Sequence, residues 1–240
     1  MENRVKFLSL FLSIGFIMKI LGEVIHEVTG HGLFVLLFGG TITRVHISLL
    51  WPYEPSFIWS SPPANGFAPS QLAWIAVGGI LVSLIITCLL QLFLLFRKSS
   101  WPISTSLFWL AFWTFINPVG YLIMGGIKPF GDVANLINRG VLTQEIALAV
   151  GLSIFLLSFF SLSSILRGTL IKTRVIKNVK NGIVLFWFII PFITLVNLIG
   201  YGQPLISLPI SFIPVLLAYA YTPLKNRLFK RPNDGKPVRK

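Results

Sequence analysis

The run VKFLSLFLSIGFIMKILGEVIHEVTGHGLFVLL, Val5 to Leu37, is almost wholly apolar, yet Lys19, Glu23, His26, Glu27 and His31 lie inside it. A bilayer core about 30 Å thick is crossed by roughly 20 apolar residues in a helix, because no water is present there to satisfy the backbone. The run is too long for one perpendicular span, so it must tilt, protrude or break. Ionisable groups cost about 2.5 to 3.5 kcal/mol each at the centre of such a helix, and they face a partner, a cavity or a pathway.

The remaining composition fits the same environment. Of the 240 residues, 55% are hydrophobic and only 11% charged, which excludes the surface of an ordinary soluble domain. The single cysteine, Cys88, rules out an intrachain disulfide and a paired-cysteine metal site, and it reads as a small core residue. About six spans are expected: Val5 to Leu37, Leu72 to Phe96, Leu107 to Ile127, Ile146 to Leu166, Ile183 to Ile199 and Leu205 to Tyr221. The last two are short and carry Pro191 and Pro214, which should kink them. No small-residue cleavage site follows the first apolar stretch, so it reads as a span rather than a cleaved signal.

The net charge of +13 is a topology signal. Two basic residues, Arg4 and Lys6, lie at the N-terminus, two sit at Arg97 and Lys98, five lie from Arg167 to Lys180 and seven in the tail. With six spans these regions share one side, and the opposite side keeps only Arg44, Lys128 and Arg139. Such asymmetry predicts an integral, multi-pass protein with both termini in the cytoplasm. The partner of the basic tail Lys225 to Lys240 is then the lipid bilayer, not nucleic acid.

Between the first two spans, Thr41 to Leu50 alternates β-branched residues as a strand does, and an aromatic and Pro/Gly-rich stretch with Trp51, Tyr53, Phe57, Trp59 and Phe67 follows. It reads either as an interfacial aromatic belt or as a short membrane-associated β-like hairpin beside a site. The fold class is therefore an all-α polytopic membrane protein with that hairpin between helices one and two.

The cluster in the first span runs Glu23-Val-Ile-His26-Glu27-Val-Thr-Gly-His31-Gly32. Two histidines flanking a glutamate in an apolar helix point to zinc hydrolysis. In H-E-x-x-H the histidines at i and i+4 share one face and bind zinc, while the glutamate is general base to the water. Here the spacing is i+5, and five steps of about 100° leave His26 and His31 roughly 140° apart on a regular helix. A π-helical bulge would bring them together, and Gly30 and Gly32 permit one. A regular helix offers a second arrangement, with Glu27 and His31 as i, i+4 ligands, Glu23 one turn earlier and His26 behind them as a proton relay. His46, in the β-like stretch, reads as an interface histidine and is the substitute ligand if His26 cannot reach the metal.

The run from His26 through Gly39-Gly40 into a β-like stretch resembles the active-site helix of the site-2 protease family of intramembrane zinc metalloproteases. Ala76-Val-Gly78-Gly79 stands where that family has a glycine-containing next helix, and Asn117-Pro118 and Gly131-Asp132 stand where it has an Asn/Pro stretch leading to an aspartate. The resemblance covers roughly Val5 to Asn138. It implies zinc as cofactor, His26, His31 and Asp132 as ligands, Glu27 as general base and Asn117 as a residue lining the substrate site. It departs from the family in the extra residue between the histidines and the long gap from Asn117 to Asp132. One membrane domain, 1–240, is expected, with a catalytic-like core over 5–138 and a three-helix extension and basic tail over 139–240.

Sidedness bears on Asp132 independently. Spans one and three both travel outward, so Asp132 falls on the side of His31 and meets it if Lys128 to Val133 folds back. The competing role is an N-cap for a helix starting at Val133. Charge puts this polar site nearer the non-cytoplasmic face, whereas bacterial members of the resembled family usually open theirs to the cytoplasm.

The leading function is thus an intramembrane zinc metalloendopeptidase acting on transmembrane or juxtamembrane segments of a membrane protein or peptide. The alternatives are a non-catalytic relative that binds a membrane partner, supported by the i+5 spacing, and a small ion or proton transporter relaying through Glu23, His26, Glu27 and Asp132.

Overall fold

A computed structural model describes residues 2–49, 54–97, 99–173, 178–201 and 205–228. The order is α1 (Glu2–Val24), a π-helical segment (Ile25–Gly32), α2 (Leu33–Leu37), β1 (Thr41–His46), β2 (Phe57–Ser61), α3 (Pro69–Phe96), α4 (Trp101–Ile127), α5 (Gly131–Asn138), α6 (Gln144–Thr173), α7 (Val179–Trp187), α8 (Ile189–Tyr201), α9 (Ser207–Ser211) and α10 (Ile213–Leu228). Five helical stretches are long and apolar enough to cross a membrane: Val5–Leu37, Pro69–Phe96, Trp101–Ile127, Gln144–Thr173 and Val179–Gly200; a shorter apolar helix covers Ser207–Tyr221. The architecture is that of an all-α membrane protein.

The first span neither breaks nor ends early: α1, the π segment and α2 form one helical run from Glu2 to Leu37. The third span begins at Trp101 rather than Leu107, since Pro102 occupies the first turn, where its missing N–H costs nothing. The fifth is broken at Phe188, three residues ahead of Pro191, where the proline ring removes a helical donor.

Helix α4 is the axis of the bundle. Phe108, Phe112 and Phe115 are fully buried, and the core extends from them to Phe7 and Phe11 of α1, Phe155, Phe159 and Leu162 of α6, and Trp187 of α7. Trp109 and Trp187 are core residues, and Trp187 donates its indole N–H to Ser163 at 3.0 Å. The outside is apolar too, with Leu157, Leu185 and Ile199 among the most exposed side chains, as suits lipid rather than water.

Cys88 is exposed on α3, not buried as the sequence suggests. In a membrane helix the outward face is apolar as well, so a small apolar residue there does not report burial. Strands β1 and β2 pair antiparallel, from Thr41 opposite Ser61 to His46 opposite Phe57, with an irregularity between Ile42 and Arg44. The hairpin packs on the π segment through Ile42, whose Cδ1 would lie 2.9 Å from a Cβ placed on Gly32. Trp51 and Tyr53 of the aromatic stretch, and the tail beyond Leu228, lie outside the described residues.

Candidate metal centre

The π segment spans Ile25–Gly32 and contains the whole histidine motif. Its i to i+5 hydrogen-bond spacing brings residues five apart to nearly the same face. His26 and His31 accordingly lie with ring centroids 5.0 Å apart and planes perpendicular. Both are buried, as is Glu27 between them. One ligand atom from each of His26, Glu27 and His31 fits within a set whose members are all within 4.8 Å of one another, so the three form a group that could hold a metal ion.

Close helix packing makes room for this face. Gly30 meets Gly79 of α3 so tightly that a Cβ on Gly30 would lie 2.5 Å from the Gly79 Cα. A Cβ on Gly79 would lie 2.5 Å from His31 Nε2 and 2.7 Å from His26 Cε1. Any side chain at 79 would therefore fill the space between the two imidazoles.

Two contacts from α3 orient the rings. His31 Nδ1 is 2.6 Å from the Ile75 carbonyl oxygen, which can only accept, so Nδ1 carries a proton and donates it there, leaving Nε2 to face the site. His26 Nδ1 is 3.3 Å from Ser83 Oγ, and Tyr121 stacks on that ring with centroids 5.8 Å apart and planes 7° from parallel. Histidine ligands are held for a metal in this way, by a partner on the nitrogen that does not bind.

Asp132 comes from a separate element. After α4 the chain reverses through Lys128 to Phe130, Gly131 adopts φ +55°, and α5 begins at Gly131. The positive φ favours glycine, and a Cβ at 131 would lie 2.5 Å from the Tyr121 ring. Asp132 thus sits within the first turn rather than at a cap preceding Val133. Its Oδ2 lies 3.3 Å from Nε2 of His26 and 3.3 Å from Nε2 of His31. Burial alone would raise its carboxyl pKa, but the imidazoles of His31 and His26 outweigh burial and hold it well below the usual carboxylate range.

These separations suit a metal. Two ligand atoms each about 2.1 Å from a tetrahedral zinc stand about 3.4 Å apart. The Nε2 atom of His26 is buried and makes no well-aligned hydrogen bond, and the Asp132 carboxylate is the group that faces it. Two imidazole nitrogens, one carboxylate oxygen and an adjacent glutamate match the donor set of catalytic zinc.

The other expected residues are placed less centrally. Glu23 accepts a hydrogen bond from Asn117 Nδ2 at 3.2 Å, and both are buried beside the site. One turn earlier, the Lys19 ammonium donates to the Ser48 carbonyl at 2.5 Å, tying α1 to the segment after β1. His46 is not among the clustered donors: its Nε2 lies 3.3 Å from Glu54 Oε1 and its ring stacks on Phe57. Since His26 reaches Asp132 itself, the substitute role for His46 has no geometric basis. Ser83, Ile75 and Tyr121 were not foreseen as parts of the site. Only the Gly78-Gly79 pair signalled that this stretch of α3 approaches the motif.

No protein-family model matches the chain, no curated protein matches it, and no solved structure matches it.

Proposed function

We propose that this chain is a membrane-embedded zinc metallopeptidase that hydrolyses peptide bonds in transmembrane or juxtamembrane segments. The observation that carries the proposal is the meeting of His26, His31 and Asp132, from two separate elements, at 3.3 Å nitrogen-to-oxygen separations beside Glu27. A zinc ion held by those three residues would act as Lewis acid and bring the pKa of water to about 7. Glu27, adjacent to the donors, takes the proton of the attacking water and returns it to the leaving amine. Ser83 and the Ile75 carbonyl keep the two imidazoles turned toward the site. Among the described residues the sheet has two strands, and an extended peptide can add along its edge as a further strand.

The excess of basic residues near the termini, at Arg97 and Lys98 and between Arg167 and Lys180 supports six crossings with both ends in the cytoplasm, the sixth being the short helix over Ser207–Tyr221. That orientation puts the site nearer the non-cytoplasmic face. The non-catalytic alternative rested on the i+5 spacing; the π segment over Ile25–Gly32 supports a shared metal instead, by bringing residues five apart to nearly one face.

The test is cleavage of a model transmembrane substrate by purified protein in detergent or nanodiscs. Glu27→Gln should lose at least about 100-fold in rate, the usual scale of a general base, while retaining metal. Equal cleavage by that variant would refute the assignment.

A further inference from the structure

The proposed chemistry leaves Lys19 unused, although its side chain is buried within an apolar helix. An ammonium is costly there, and such groups are kept where they hold a partner. Nζ donates to the Ser48 carbonyl at 2.5 Å, a residue just past the end of β1 rather than a neighbour on its own helix.

Ser48 belongs to a closed polar ring. Its backbone N–H donates to Ser56 Oγ at 3.1 Å, and the Ser56 hydroxyl donates to the Glu23 carboxylate. Glu23 stands four residues from Lys19 on the same helix face, where the opposite charges attract. It also accepts from Asn117 Nδ2 of α4 at 3.2 Å, which braces the helix side of the ring. Lys19, Glu23, Ser48 and Ser56 are all buried. Since Ser48 follows β1 and Ser56 precedes β2, one ring pins both strands at the same end of the hairpin.

The other end is held by apolar contact. A Cβ on Gly32 would lie 2.9 Å from Ile42 Cδ1 and 3.8 Å from Ile58 Cδ1. From Gly32 back to Lys19 is about 20 Å along a helix, and from Ile42 on to Ser48 is about 20 Å along a strand. The lengths match, so β1 runs back alongside the first helical run, and the stretch carrying His26 and Glu27 lies between the two points of attachment.

We propose that Lys19 is a positioning residue for peptide hydrolysis: it clamps the Ser48–Ser56 end of the hairpin to α1 and so holds the strand edge alongside Glu27. The inference rests on the peptidase reading for what that edge receives. Without the clamp the hairpin keeps its contact at Gly32 while its other end comes loose, and the cost of ordering it again falls on substrate binding. Once peptide is bound, the geometry at Glu27 is the same, so the loss appears in KM rather than in kcat.

The test compares full-length Lys19→Met and Lys19→Arg with the natural sequence in nanodiscs. In Lys19→Met, hydrogen exchange should quicken at least about tenfold over residues 42–46 and 57–60 while α3 and α4 are unchanged. Lys19→Arg should restore it to within about threefold, because a guanidinium still donates to the Ser48 carbonyl. In cleavage of a model transmembrane substrate, KM should rise at least about tenfold in Lys19→Met with kcat held within about threefold, and Lys19→Arg should recover the lower KM. A variant that had only lost folded protein would show a lower kcat at unchanged KM, and that result would overturn the positioning role. Unchanged hairpin exchange in folded Lys19→Met would overturn the clamp itself. If Lys19→Met does not fold, Ser56→Ala decides: it opens the ring between Ser48 and Glu23, and exchange and KM should both rise, whereas no change in either would overturn the proposal. Exchange that quickens while the natural sequence cleaves nothing would refute the peptidase and keep the clamp. Cleavage by the natural sequence with KM unmoved in the folded variant would refute the positioning role and keep the peptidase.

Discussion

His26 and His31 are five residues apart in the chain, yet their rings stand 5.0 Å apart and perpendicular, both with Nε2 3.3 Å from one carboxylate oxygen of Asp132. On a regular α-helix that pair would diverge by roughly 140°. The π-helical turn and the glycine contact of Gly30 with Gly79 are what make the shared face possible.

Gly79 is the most sensitive position that bears no functional group. Gly79→Ala would place a methyl 2.5 Å from His31 Nε2, so the imidazoles must separate. Zinc affinity is expected to fall at least tenfold, on the order seen when a group supporting a metal ligand is lost. Competition with a chromophoric chelator measures this, and unchanged affinity would show that the space between the rings is not the metal position.

Asn117→Leu is expected to destabilise the fold while leaving the three proposed ligands in place. It removes one of the donors to the buried Glu23 carboxyl, Ser56 being another, and a lost hydrogen bond to a buried polar group costs about 1 to 3 kcal/mol. Thermal unfolding in detergent should show a lower midpoint for the variant, with Glu23→Gln less affected because a neutral amide can still accept from Asn117.

Much of this architecture is legible in the chain itself. Long apolar runs reveal spans because a bilayer requires internal backbone pairing, and the cluster from Glu23 to His31 stands out against them. Less accessible were contacts between distant segments. Nothing near Ser83 or Tyr121 marks them as neighbours of His26, since one hydroxyl and one aromatic ring in an apolar helix are commonplace. Cys88 misled for a related reason, as both the inside and the outside of a membrane helix are apolar. The fold-back that delivers Asp132 was foreseeable only as a condition, because the reversal depends on Gly131 at positive φ.

Sidedness can be tested with thiol labelling of single cysteines in a Cys88→Ala background. Arg44→Cys, on the hairpin, should react with an impermeant maleimide added outside intact cells. Lys225→Cys should react only after permeabilisation. The reverse pattern would invert the topology and place the site toward the cytoplasm.

The most direct measurement is zinc content of the purified chain by elemental analysis, comparing the natural sequence with His26→Ala, His31→Ala and Asp132→Ala. About one zinc per chain, lost in each variant while the protein remains folded, is the result expected of a tetrahedral three-ligand site. Absence of zinc from the folded natural sequence after incubation with the metal would contradict the account, as would full retention in Asp132→Ala.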